Sequence, residues 1–522
     1  MENKSGISKR YIYLTILTVS ATVLFLAVKD LCFFDEDIFV VNRNNEFMSQ
    51  NWQRSLICKL TFWADNYLYG TSPLGYHVTN LLFHILDTIL AVSVFEELLK
   101  IGKNNFTQFQ QTSASLMFFI LFLLTPVHSE PVCYILARGG SVVTFFNLLS
   151  ILFFLKAEFQ NKILLVFSLL SFLAALFCYE ISWLLPLIIF SISIFLWYNK
   201  FAKIFPQKKL VLFTLPYFIV FAGWFIIKVV FVDKLEVSDY NTKDLFSINF
   251  ATFFKNNGVL FLRNFIPPIK NTSVFLIVSS FFILGVIAGL IKLLKINKQI
   301  FSLSVLLILL TILSFSAVSV IGIDSHDSES ERYIYFSSAF ALMLLSVLLI
   351  MLIKNKIVLS ITFFILVAVY SFSLFKTINY YREAAVFSTK YLTALNNQKA
   401  DKTNFFMINL PSQYHGALLF RARSRLNDNH TGSITTLNEF MLYLHQVKAV
   451  KYITLSTSEI TKIPAAVRVY EKPFDSVRNY LAQEKIKFSD STITTQKNET
   501  YPFLEATSAI VILKDSALVI FK

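Results

Sequence analysis

Residues 9–37 read KRYIYLTILTVSATVLFLAVKDLCFFDED, and this stretch decides the class of the molecule. Lys9 and Arg10 precede an apolar run, residues 11–28, that has the basic flank of a secretory signal but continues into Lys29-Asp30 with no small-residue cleavage site. It reads as a retained first transmembrane helix, because a bilayer core demands about twenty apolar residues. Immediately beyond it, Asp35-Glu36-Asp37 follows Phe33-Phe34, so three carboxylates sit at one membrane face beside aromatic side chains. Ionisable groups so placed are costly and are functional candidates by default.

Working outward, ten further apolar runs lie near 76–97, 112–128, 138–156, 162–180, 181–198, 210–232, 273–291, 299–322, 333–353 and 357–377. The composition agrees: 55% of the 522 residues are hydrophobic and 15% charged, which excludes a soluble enzyme. Fifty-six Phe and 22 Tyr against 13 Gly and 12 Pro exclude collagenous and disordered chains, since this aromatic surface has to be buried. The net charge of +14 is tested first against the positive-inside rule, and no nucleic-acid partner is expected. Lysines gather at residues 4–10, 100–103, 156–162, 200–209, 292–298 and 354–356, marking alternate gaps as cytoplasmic. Eleven spans with a cytoplasmic N-terminus place the loops 30–75, 129–137, 233–272 and 323–332, and the C-terminal region, on the outer face.

The expected fold is a polytopic α-helical membrane protein of about 11 transmembrane helices with a C-terminal soluble α/β domain. The transmembrane domain covers 1–379, with interfacial helices in the first outer loop, 30–75; the extracytoplasmic domain covers 380–522. In the latter, NFFMINL, VKYITL, AVRVY, STITT and SAIVILKDSALVIFK are short β-branched or aromatic runs, as strands require. Cys32, Cys58, Cys133 and Cys178 are too scattered for a disulfide scaffold; a Cys32–Cys58 bridge is one alternative and buried thiols the other.

The polar residues of the apolar region cluster on the outer side. His77, Asn80, His84 and Asp87 follow i, i+3, i+7 and i+10, one face of a helix. His84 and Asp87 read as a buried polar stripe, whereas His77 and Asn80 lie near the outer end, within reach of Asp35 or Glu36. A later turn holds His128, Glu130 and Arg138; another ends Glu331-Arg332-Tyr333. Carboxylates against apolar surface suit a general base, and arginines suit bidentate phosphate binding. Lys228 and Arg263 read as side chains snorkelling to headgroups. For Arg332 the structural alternative is a salt bridge to Glu331 or Glu329. A carboxylate base and a cationic clamp at the outer leaflet fit group transfer from a lipid-phosphate donor to a hydroxyl.

Phe34-Asp35-Glu36, Trp52-Gln53-Arg54-Ser55-Leu56, Gly70-x-x-Pro73-x-Gly75-Tyr76-His77-Val78-Thr79-Asn80, Thr125-Pro126-Val127-His128-Ser129-Glu130-Pro131 with Ala137-Arg138-Gly139, and Glu331-Arg332-Tyr333-Ile334-Tyr335 resemble ordered motifs of GT-C superfamily glycosyltransferases. The nearest resemblance is to the transmembrane and tetratricopeptide-repeat O-mannosyltransferases and their bacterial relatives, without the repeats. It implies Asp35 as catalytic carboxylate with Glu36 beside it, a polyprenyl-phosphate-linked monosaccharide as donor, and inversion at the anomeric carbon. On that reading Arg138, Arg332 and Arg54 bind the donor phosphate, and His77, Asn80, His128, Glu130 and Tyr333 support the acceptor side. The acidic pair departs from the family's usual two Asp, and Ser55 stands where Pro is common.

No cofactor is required on this route. The alternatives are a metal-dependent, oligosaccharyltransferase-like enzyme using Asp35, Asp37 and Glu130 as hard oxygen ligands, and a lipid-linked sugar transporter, a class that often carries paired repeats and broken spans. The acceptor can be protein, lipid or glycan. The Phe- and Lys-rich composition points to a bacterial inner membrane with the C-terminal domain in the periplasm.

Overall fold

A computed structural model describes residues 2–42, 52–101, 106–201, 207–231, 250–397 apart from 321 and 324, 402–420, 436–446, 451–460, 467–472, 477, 481, 486–489, 492–494, 500–502, 508–514 and 517–521. Of the residues singled out above, the side chains of Trp52, Gln53 and Arg54 lie outside those described.

Each of the eleven apolar runs is helical. Nine of the helices among the described residues are long and apolar enough to cross a membrane, so the chain is an integral membrane protein of mainly helical architecture. The other two runs account for the difference from eleven spans. Gln108–Leu124 bends by 47° into Pro126–Cys133. Thr125 there is extended (φ −66°, ψ 135°), as the residue before a proline prefers. Lys162–Leu176 has 15 residues, a length of about 22 Å, less than the hydrocarbon core. Enclosure separates centre from periphery: 83% of the apolar window of Tyr335–Leu352 is buried, against 17% for Thr272–Ile296 and 11% for Lys356–Asn396.

The last helix, Lys356–Asn396, has 41 residues and a length of about 61 Å. It runs unbroken through residue 380, where hydropathy falls. That fall marks where the helix leaves the apolar layer, and the strand-containing module begins only after residue 396.

The tail runs form strands. Asn404–Ile408 pairs in parallel with Lys451–Thr454 and Ser508–Lys514; Ala517–Phe521 returns antiparallel to Ser508–Lys514 and pairs in parallel with Arg468–Lys472. Alternation puts Phe405 and Met407 on the face continuous with the main core, and Phe406 and Ile408 in a second cluster with Ile510, Ile512 and Phe521.

The module packs on the end of the bundle that carries the loops without lysine clusters. Asn42 Nδ2 donates to Glu439 O (2.7 Å), Tyr443 Oη donates to Thr71 O (2.8 Å), and Asp35 N–H donates to Leu419 O (3.0 Å). The turn His415-Gly416 fits against Ser328: Gly416 has φ +89°, and a Cβ there would stand 2.7 Å from Ser328 Oγ.

Candidate functional site

The acidic turn is built by hydrogen bonds that assign its three carboxylates different work. Asp37 is fully buried, and its carboxylate accepts from the N–H groups of Phe34 (3.1 Å), Ile135 (3.3 Å) and Leu136 (2.9 Å). It ties the first motif to the Glu130–Arg138 turn, and burial raises its proton affinity well above the usual carboxylate range despite those donors. Asp35 has φ +43°, a left-handed conformation that Asp tolerates better than most residues. Asp35 and Glu36 are 1% and 8% exposed, and the preceding Phe34 ring meets Tyr381 edge-on (5.3 Å).

The polar stripe of Pro73–Ile101 clamps the next turn. Asn80 Nδ2 donates to Pro131 O (3.0 Å) and Tyr134 O (3.3 Å), and His77 Nε2 lies 3.1 Å from Cys32 O. Arg138 is fully buried and spends each guanidinium nitrogen on protein: Nε on Asn80 Oδ1 (2.5 Å), Nη1 on Thr61 Oγ1 (3.2 Å), Nη2 on Tyr76 O (2.9 Å) and on Asp65 Oδ2 (2.5 Å). Asp65, the counter-ion, sits in the interfacial helix Trp52–Tyr69 and is a residue the sequence reading missed. Its only advance signal is a lone acid among the aromatic residues of that helix.

The third layer comes from the loop before Tyr335–Leu352. Glu130 receives the Arg332 backbone N–H (2.8 Å) and its Nη1; Arg332 Nη2 reaches Tyr333 Oη at 3.5 Å, the limit of a hydrogen bond. The Arg332 side chain is 16% exposed, and the Tyr333 ring beneath its guanidinium stacks on Tyr179. The salt bridge considered for Arg332 therefore goes to Glu130, not to Glu329 or Glu331. Glu331 instead meets Arg263 (2.5 Å) and Ser129 Oγ (2.9 Å). The expectation that Arg263 snorkels is overturned: it is fully buried and also donates to Ile266 O and Asp327 O. Burial pushes the Glu331 carboxyl up to about 8 against the pull of Arg263. Gly140 lets these layers close, since a Cβ there would stand 2.7 Å from Arg332 O.

His128 Nε2 lies 2.9 Å from Ser338 Oγ, and His84 pairs with Tyr335 Oη (2.8 Å) and Leu123 O, consistent with a buried stripe. Lys228 stacks over Trp183 and Trp224. The Cys32–Cys58 bridge is not formed; Cys32 and Cys58 donate to Phe33 O and Cys178 O. Of the alternative metal trio, Asp37 and Glu130 hold backbone and guanidinium donors, and no cluster of metal-ligating side chains occurs among the described residues.

No family model matches the chain. It is similar to a protein O-mannosyl-transferase of Caenorhabditis elegans, 30% identical over 118 residues, and to protein O-mannosyl-transferase TMTC4 of Homo sapiens, 37% identical over 109 residues. These stretches cover 23% and 19% of this chain, and only 16% and 14% of those relatives. Among solved structures it is similar to ArnT from Cupriavidus metallidurans bound to undecaprenyl phosphate (12% identity, TM-score 0.43, 84% of this chain and 89% of that one). It is also similar to the Archaeoglobus fulgidus oligosaccharyltransferase (11%, TM-score 0.41, 90% and 63%). The resemblance carried by the motifs is thus met by similarity, over about a fifth of the chain, to relatives named protein O-mannosyl-transferase.

Proposed function

We propose that the chain is an integral-membrane glycosyltransferase that moves a mannose-like monosaccharide from a polyprenyl-phosphate donor to an acceptor hydroxyl on protein, lipid or glycan. The observation that supports it is the meeting of motifs far apart in sequence. Asp37 binds the Ile135-Leu136 backbone and Arg332 binds Glu130, so the turns around Asp35, Glu130 and Arg332 form one buried polar layer beneath the C-terminal module.

In this reading Asp35 takes the proton of the acceptor hydroxyl as its oxygen attacks the anomeric carbon in line. The bond from that carbon to the lipid phosphate oxygen breaks, inverting the centre, and the phosphate leaves with its electron pair. Arg332, the more open guanidinium, faces the developing negative charge, where a fixed cation acts on the transition state. Arg138 is placed behind it as a positioning residue, holding Asn80, Tyr76 and Asp65 together; Arg54 joins the phosphate side. Glu36, His77, Asn80, His128, Glu130 and Tyr333 shape the acceptor side. The route uses no metal. The N-terminus lies in the cytoplasm of a bacterial cell and the module in the periplasm.

The test is release of undecaprenyl phosphate by the purified full-length protein in nanodiscs, supplied with undecaprenyl-phosphate-mannose and a periplasmic extract as acceptor source. Acceptor-dependent release with labelled mannose appearing in the extract is expected. Translocation of the intact lipid-linked sugar in proteoliposomes without such transfer would refute the enzyme and favour the transporter.

A further inference from the structure

A cavity of about 320 Å³, lined by none of Asp35, Glu130, Arg138 or Arg332, lies between Thr272–Ile296, the outer half of Lys356–Asn396, the 326–328 loop and the His415 turn. Its wall and its head differ in chemistry. The wall is Val278, Val369 and Phe372, which are 40%, 47% and 72% exposed on the bilayer-facing side of the two peripheral helices. The head carries Lys270, Lys376, His326 and His415. Val369, Phe372, Lys376 and Tyr380 follow i, i+3, i+7 and i+11, one stripe of one helix. Phe372 and Lys376 are thus one turn, about 6 Å, apart along the axis, so the cavity passes from acyl depth to headgroup depth within a turn.

Both lysines line that head. Lys270 Nζ lies 3.1 Å from His415 Nδ1, and Lys376 Nζ lies 6.0 Å from the Tyr380 ring. Lys270 also immediately precedes Asn271, the N-cap of a 25-residue helix whose N-terminus adds positive potential. Asp327, the carboxylate in the lining, turns into its own loop and accepts the Glu329 N–H (2.9 Å). His326 is held by Ile269 O (3.0 Å). A cationic head above an apolar wall open to the bilayer suits an anion carrying a hydrocarbon chain, and the volume falls in the range of small-molecule sites.

We propose that this cavity seats the phosphate headgroup of a membrane lipid, with Lys270 and Lys376 contacting the phosphate and the first part of the chain lying on Val278, Val369 and Phe372. The site is separate from the one assigned to the donor phosphate, and lipid binding there requires no transfer activity. Occupancy would brace the loop that runs from His326 to Arg332.

Native mass spectrometry of the full-length protein in detergent, titrated with phosphatidylglycerol or phosphatidylcholine, tests it. Wild type is expected to retain phosphatidylglycerol preferentially. The double variant Lys270→Gln/Lys376→Gln should lose roughly tenfold to thirtyfold of that affinity, from two lysines at an anionic headgroup, with an unchanged size-exclusion profile. Lys270→Arg/Lys376→Arg should keep most of it. Equal retention of the two lipids by wild type, or undiminished phosphatidylglycerol binding by the Gln pair, would overturn the proposal. Added undecaprenyl phosphate then identifies the source: one-for-one displacement of phosphatidylglycerol makes the ligand the carrier lipid, and failure to displace makes it bulk phospholipid.

Discussion

Replacing Asp35 by Asn and by Ala separates chemistry from fold because of the backbone at that position. Asp35 stands at φ +43° with its N–H donated to Leu419 O. Asn tolerates the left-handed region nearly as well as Asp, whereas Ala there costs about 1–2 kcal/mol. Asp35→Asn therefore keeps the turn and the shape of the side chain and removes only the base. Loss of a general base is worth about 10²- to 10⁴-fold, equivalent to roughly 2.7–5.4 kcal/mol of barrier at 1.36 kcal/mol per decade. In the undecaprenyl phosphate release assay, Asp35→Asn is expected to fall by that factor at an unchanged melting temperature in detergent. Asp35→Ala should show a similar loss of turnover together with a lower melting temperature, reflecting the backbone strain. Turnover of Asp35→Asn within tenfold of wild type would refute the assignment of the base and leave Asp35 as a boundary charge held for its backbone. Equal destabilisation by the two variants would refute the conformational argument.

Arg332→Lys keeps the charge but not the planar fork, and should weaken transfer by on the order of 1–3 kcal/mol of charged hydrogen bonding, with wild-type activity unaffected by EDTA; full activity of the variant, or EDTA loss restored by Mn²⁺, would count against the clamp. Burial holds the Glu331 carboxyl protonated up to about 8, while the unfolded chain releases that proton near the usual glutamate value of 4.5. The unfolded state thus binds fewer protons between those values, so stability should fall as pH rises from about 4.5 to 8. Melting curves of Glu331→Gln should be flatter over that window than those of wild type. Gly140→Ala puts a methyl 2.7 Å from the Arg332 carbonyl, and should lower both the melting temperature and transfer by displacing Arg332, whereas Gly285→Ala, with open space around it, should be silent in both. A reporter active only in the cytoplasm, fused after Lys522, should stay silent.

What the sequence determined by itself is what local pattern carries. Apolar runs of bilayer length specify helices wherever they occur, and each of the eleven runs is helical. Alternating β-branched and aromatic residues specify strands, and Asn404–Ile408 and Ser508–Lys514 lie where those runs stand. The clustering of Asp35, Asn80, Glu130 and Arg332 at one end of the bundle was also legible, because each lies at the same end of a hydrophobic segment of known length. Tertiary structure alone decided which charge meets which. Arg138 meets Asp65, Arg263 meets Glu331 and Arg332 meets Glu130, each a guanidinium–carboxyl contact between residues far apart in sequence. No periodicity distinguishes a buried arginine with a distant partner from one that snorkels, so Arg263 read wrongly. The same holds for Lys356–Asn396 and for Leu419. Hydropathy registers where a helix leaves the apolar layer but not where it ends, and a backbone carbonyl that receives the Asp35 N–H carries no sequence signature, since every residue has one.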